Sequence, residues 1–383
     1  MAAPSPSALT SRTVQNTMGL VTRRTYRLPR GGGELVLADD QVPLVIKREE
    51  AEEGYVLNEP DLVPLKRATD VVVIGSVHAP DGEPVRRLQA ACRVGGHVKK
   101  LQVLGDRKCT WRRGQVIIPD PEPFTEMPLS YTRAYGGSDE AARHELDRHN
   151  LEAFRPYTPL DLKNASACVY HRNFVGKGFI TRNDERIDGL VLPNLEDPDD
   201  PLTPQRLVPE DPFRWWGQPL PAGLGWFDAS WFPRCVHMGM AWNLIAPSDN
   251  LPGPDDPSLA EVRLGHLARE DLRPRPLLEA VSDRLINGAS PGLVLPHMRG
   301  DEQVTLTHLD PDFPELDFRL PGELPRLFMR PLDEQQLELQ PRLYSVIVDL
   351  PARRVSLVWG GWHHARFPHG PKQLERVPFR TVW

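Results

Sequence analysis

At 383 residues, 40% hydrophobic and 26% charged, the chain is long enough to bury a large core without disulfide or metal staples. Its net charge of -6 excludes nucleic acid as the main partner, because neutralising phosphates needs a basic footprint. No apolar run approaches the roughly 20 residues that span a bilayer, and 41 prolines, about double the usual share, exclude long helices as the main element.

Residues 1–19 are small and polar, with neither a basic n-region nor an apolar h-region. They read as a flexible N-terminus without a secretory signal, which places the protein in the cytoplasm. Cys92, Cys109, Cys168 and Cys235 lie far apart with no CxxC spacing, as expected of reduced structural thiols. Residues 20–28 and 34–48 read as strands of a loose hairpin around Gly31, Gly32 and Gly33. The acidic run Glu49 to Glu53 reads as a solvated loop.

Residues 69–105 hold the densest strand signal. Asp70 to Val77 is nearly all apolar and β-branched, as in a strand covered on both faces. Asp81 and Gly82 supply a turn. From Val85 the pattern alternates, with Leu88, Ala90, Cys92 and Val94 on one face, and Gly95-Gly96 turns the chain toward Leu101 and Val103. Three adjacent antiparallel strands, a meander, are expected here. Phe124, Met127, Leu129, Tyr131 and Tyr135 mark a packed, proline-broken connection ending at Gly136-Gly137.

Residues 138–154 form the first helix candidate, with Ser138 at the N-cap. Its His144 and His149 stand five apart, whereas the zinc-protease helix sets its histidines four apart, so no metal site is expected. Asn173 to Phe179 brackets one lysine between glycines without the Walker sequence, and reads as a turn. Residues 193–257 carry thirteen prolines, and 215–242 carries five of the nine tryptophans. Trp215, Trp216, Trp226 and Trp231 are taken as partner-binding rings, with core packing the competing role for each. A second helix is expected over 276–286, ended by Asn287-Gly288. Strands follow at 303–309 and 316–320, and a clear hairpin joins 344–350 to 355–359 through the PARR turn. His363, His364 and His369 fall in a C-terminal tail, 362–383, read as solvated.

The expected architecture is mainly β: antiparallel meanders forming sandwich- or barrel-like sheets, with few short helices and long proline-rich loops. The body, 20–361, is one unit or two sub-domains split near 155–200. No GxSxG, nucleotide-binding GxGxxG or serine with a sequence-evident base is present, and neither cofactor nor metal is expected.

Eight segments in order carry a resemblance: TDVVVIGSVHAPDGEPV (69–85), LQVLGDR (101–107), MPLSYTRAYGG (127–137), VGKGF (175–179), LPNLE (192–196), PAGLGWFDASWFPR (221–234), RGDEQVTLTHLDP (299–311) and VIVDLPARRVSLVWGG (346–361). Together they resemble the domain-of-unknown-function 2169 family over roughly residues 20–360. Two loops depart from that pattern: Asn173-Phe174-Val175-Gly176 stands for the usual NPVG, and CVHMGMAWN stands for a Gly-Thr-Tyr-Asp-like stretch. The resemblance implies a non-enzymatic adaptor or chaperone of the bacterial type VI secretion system. Such a protein binds a cognate toxic effector carrying a PAAR domain in the cytoplasm and helps load it onto the spike, itself a further partner. It implies no catalytic residues. Two alternatives come from other classes. One is a carbohydrate-active or hydrolytic enzyme with tryptophan-rich loops and carboxylates such as Glu196, Asp228 and Asp301. The other is a structural spike component.

Overall fold

Val71, Val72 and Val73 are fully buried in the computed structural model, which describes residues 5–12, 16–63, 65–142, 168–208, 218–231, 234, 286–367 and 369–383. Three consecutive side chains can be buried only if both faces of their strand are covered, and each buried valine contributes about 1.5–3 kcal/mol relative to exposure. That requirement decides where the strand sits.

The strands used below are β1 (Ser7–Arg12), β2 (Thr17–Arg27), β3 (Gly33–Glu34), β4 (Val36–Leu37), β5 (Thr69–Ile74), β6 (Ser76–His78), β7 (Arg87–Val94), β8 (His97–Leu104) and β9 (Glu126–Pro128). They continue with β10 (Leu195–Glu196), β11 (Val294–Leu295), β12 (Gln303–Thr307), β13 (Glu315–Arg319), β14 (Arg326–Met329), β15 (Leu337–Leu339), β16 (Arg342–Asp349), β17 (Arg354–His364) and β18 (Phe379–Val382). A seven-stranded sheet runs β1-β2-β17-β16-β5-β11, with β4 beside the end of β2. A six-stranded sheet runs β10-β8-β7-β12-β13-β3, and a small one runs β15-β14-β18. The molecule is thus mainly β and rich in antiparallel pairs, and among the described residues no sheet closes into a barrel.

One apolar core draws on both large sheets: Val21, Val71 and Val346 from the first, with Ala90, Cys92, Leu101, Val304, Leu306 and Phe318 from the second. The opposite face of the first sheet is covered in part by the small one, where Met18 and Leu20 pack with Leu327, Met329 and Leu339. A third cluster gathers Tyr135, Tyr170, Phe179, Ile187 and Leu207.

The meander expected over 69–105 does not form. β7 and β8 are a hairpin closed by Gly95-Gly96, with Val94 opposite His97. β5 belongs instead to the other sheet, parallel to β16 (Asp70 opposite Ser345). The reason is burial. β7 and β8 have a wet face, while β5 has none, so β5 goes to the interior of a sheet covered on both sides. Gly75, at φ 150°, and the Pro80–Gly82 turn, where Asp81 sits at φ 56°, carry the chain between the sheets.

Other expectations shift in smaller ways. Residues 7–12, read as frayed, pair with β2 along their length. The hairpin around Gly31 to Gly33 reduces to two pairs, Tyr26 with Leu37 and Arg27 with Val36. Asp139 rather than Ser138 caps the helical turn at 140–142, its carboxylate accepting the Ala142 N–H at 2.9 Å. The rest of that helix, His144, His149, Cys235 and the helix expected over 276–285 lie outside the described residues. The 362–383 segment extends β17 to His364 and contributes β18. Among the described residues, no helix is long and apolar enough to cross a membrane.

Candidate polypeptide-binding cleft

The parallel pair β5 and β16 ends at one place, and a cleft of about 530 Å³ opens there. Its lining residues Leu28, Leu309 and Leu350 are almost fully buried, and the exposed prolines Pro311 and Pro351 stand beside them. Gly75 belongs at this point because a Cβ there would press on the Leu350 side chain at 3.2 Å. His78 and Glu126 face each other in the β6/β9 pair on another side of the cleft.

Ion pairs fix the loops that carry this lining. Arg353 pairs with the buried Asp310 and donates to the Pro29 carbonyl at 2.6 Å, tying the β16–β17 turn to both neighbouring loops. The same Asp310 carboxylate accepts the N–H groups of Asp312 and Phe313, which shapes the loop before β13. On the open rim, Arg30 grips Asp312 through Nε at 3.1 Å and Nη2 at 2.8 Å. The result is an apolar trough framed by these ion pairs, with charges of both signs at its mouth. Such a surface can take an apolar group more readily than a small charged one.

A second polar cluster lies inside the molecule and is structural. The Asp70 carboxylate receives Lys66 Nζ at 2.6 Å, and Asn287 Nδ2, Gly288 N and Ala289 N each at 3.1 Å. Burial alone would raise the Asp70 pKa, but the Lys66 ammonium and these donors hold it below the ordinary 3.8. Arg234 grips Glu59 and donates to the carbonyls of Phe227 and Ile286, which pins the tryptophan-bearing loop against the 286–289 segment.

Of the four tryptophans read as partner-binding, Trp226 and Trp231 are only 2% and 1% exposed, so neither offers its ring to a partner. Trp231 meets Tyr131 and Phe227 edge-on at centroid distances of 5.1 and 5.2 Å, and Lys66 Nζ sits 5.3 Å from the Trp226 ring centroid. Packing explains both. Trp215 and Trp216 lie outside the described residues. The three carboxylates weighed for catalysis are each held by a separate arginine: Glu196 by Arg107 at 2.5 Å, Asp228 by Arg48 at 2.6 Å and Asp301 by Arg299 at 3.3 Å. The histidines of the tail are engaged too: His363 with Glu334, His364 with the Thr17 hydroxyl and His369 with the Leu332 N–H.

The cleft was missed in the sequence because its residues come from five separate stretches with no local signature. A signal was nonetheless present. Gly75, Ser76 and His78 fall in the first of the eight resembling segments, Leu309 and Pro311 in the seventh, and Leu350, Pro351 and Arg353 in the eighth. No curated protein and no solved structure matches the chain significantly. A family model does, across residues 13–360: the chain belongs to the DUF2169 family, described as uncharacterized proteins conserved in bacteria.

Proposed function

We propose that this protein is a non-enzymatic adaptor and chaperone that holds a PAAR-bearing type VI secretion effector in the cytoplasm and delivers it to the spike. The observation that carries this role is the convergence of three resembling segments on one apolar cleft with an ion-paired rim. In this role the cleft shields an apolar stretch of the effector that would otherwise aggregate, and the charged mouth fixes its orientation.

Co-expression with the neighbouring effector gene tests it. The effector should stay soluble and be secreted only when the chain is present. Replacing the exposed cleft prolines, Pro311→Arg with Pro351→Arg, should lower the affinity about tenfold, equivalent to about 1.4 kcal/mol, while the chain itself melts as before. An effector equally soluble and equally secreted without the chain would end the proposal.

A further inference from the structure

β8 is paired with β7 along its whole length, from His97 to Leu104. On its other side β10 covers only Gln102 and Val103, and the Leu104 N–H reaches the Asn194 carbonyl at 2.8 Å. The chain then leaves this edge in a tight turn, where Asp200 N donates to the Asp197 carbonyl and Lys99 Nζ ties Asp197 at 3.1 Å. From His97 to Leu101 the outer edge of β8 carries no paired strand among the described residues. Direction along a strand alternates, so the outward N–H of Leu104 makes those of Gln102, Lys100 and Val98 outward too. Lys100 is exposed and Val98 is 45% exposed.

A cleft of about 200 Å³ adjoins this edge, lined by Lys99 together with Leu220, Pro221, Ala222, Pro291 and Gly292. Gly292 keeps its wall open, since a Cβ there would crowd Lys99 Cδ at 3.2 Å. Two acids also line the cleft, Asp197 and Asp200, and they are neutralised by Lys99 and Arg206. The opposite, wet face is basic where β8 meets β7: Lys100 lies beside Ala91, and exposed Arg93 lies opposite Val98.

We infer that this edge captures an extended segment of a partner polypeptide as an added antiparallel strand, with alternating apolar and acidic side chains. Apolar residues of the incoming strand enter the cleft beside Pro221 and Pro291, and acidic residues lie on the wet face against Lys100 and Arg93. Backbone hydrogen bonds to Val98 and Lys100 supply affinity, and the alternation supplies selectivity. This rests on the adaptor role and names a second contact with the same class of partner.

The test uses the full chain and a labelled peptide of alternating valine and glutamate, with a valine–lysine peptide as control. The acidic peptide should bind at least about tenfold more tightly than the basic one, a preference of about 1.4 kcal/mol. Its binding should slow hydrogen exchange at the Val98 and Lys100 amides. Val98→Pro removes an outward donor and no bond to β7, a place where an edge strand tolerates proline, so it should abolish binding without unfolding the chain. Lys100→Glu leaves the backbone intact and should reverse the preference. Unchanged exchange at those two amides, or wild-type peptide affinity in Val98→Pro, overturns the inference. So does a concentration-dependent dimer dispersed by Val98→Pro, because a second copy is then the occupant. If Val98→Pro still solubilises and delivers the effector, this edge fails while the adaptor role stands. If the unaltered chain does neither, the adaptor role fails.

Discussion

Lys66 and Asp70 show how a single pair of residues sets the stability of the interior. Both side chains are nearly inaccessible, and Asp70 is further satisfied by Asn287 and two backbone N–H groups. Removing the cation alone leaves a buried charge without its partner, which costs about 3–5 kcal/mol. Lys66→Met should therefore lower the urea midpoint sharply at neutral pH. Because the folded-state pKa of Asp70 lies below 3.8, its contribution is complete above that value and is lost as pH falls through the lower folded one. The gap between wild type and Lys66→Met should accordingly be widest at neutral pH and shrink in acid, where protonation relieves the variant. A gap that does not change with pH would mean that packing of the lysine stem, rather than the charge, is what Lys66 contributes. Cys92 is a quieter case: burial pushes its thiol up to about 12, and the sequence had already placed it on a dry strand face.

Among the elements, hairpins were legible and distant pairings were not. β7 with β8, and β16 with β17, could be read because alternation and a turn dipeptide are local properties. The parallel partnership of β5 with β16 has no local trace. What could be read was that Asp70 to Ile74 needed cover on both faces, and this same fact took the strand away from its sequence neighbours. β16 also contains an irregularity invisible in its alternation. Its register against β17 slips between Leu343 and Ser345, leaving Tyr344 as a bulge. The Tyr344 ring then lies where a Cβ of Gly360 would be, so this glycine is a close-approach position within a strand. Gly360→Ala should destabilise by about 1–3 kcal/mol through overpacking. Combining it with Tyr344→Ala should cost less than the two separate effects added together, by about 0.5–3 kcal/mol. Strict additivity in that cycle, measured by denaturant unfolding, would show that the ring and the glycine do not compete for the same space.

For the whole molecule, the open question from the sequence was one body or two sub-domains. The tryptophan-rich loop illustrates why composition could not answer it: a cluster of large rings serves a core or a surface equally well, and only the contacts of Trp226 and Trp231 assign them to the core. Strand pairing bears on the domain question. β2, near the start of the chain, pairs over its full length with β17, near the end, from Thr17 with His364 to Arg27 with Arg354. Apolar residues from Val21 to Trp359 belong to one core. Arg353 and Asp310 tie the β16–β17 turn to the loop before β13, which joins the two large sheets at the cleft. Because that core draws on both large sheets, local opening of one sheet exposes the inner face of its neighbour. Unfolding should then be cooperative, with tryptophan fluorescence and far-ultraviolet circular dichroism sharing one midpoint. The third cluster around Tyr135, Tyr170 and Phe179 is a separable part, because its buried members lie outside the main core. If two transitions are resolved instead, hydrogen exchange should place the earlier one in that cluster. An early loss of protection in β2 or β17 would contradict the single-core architecture.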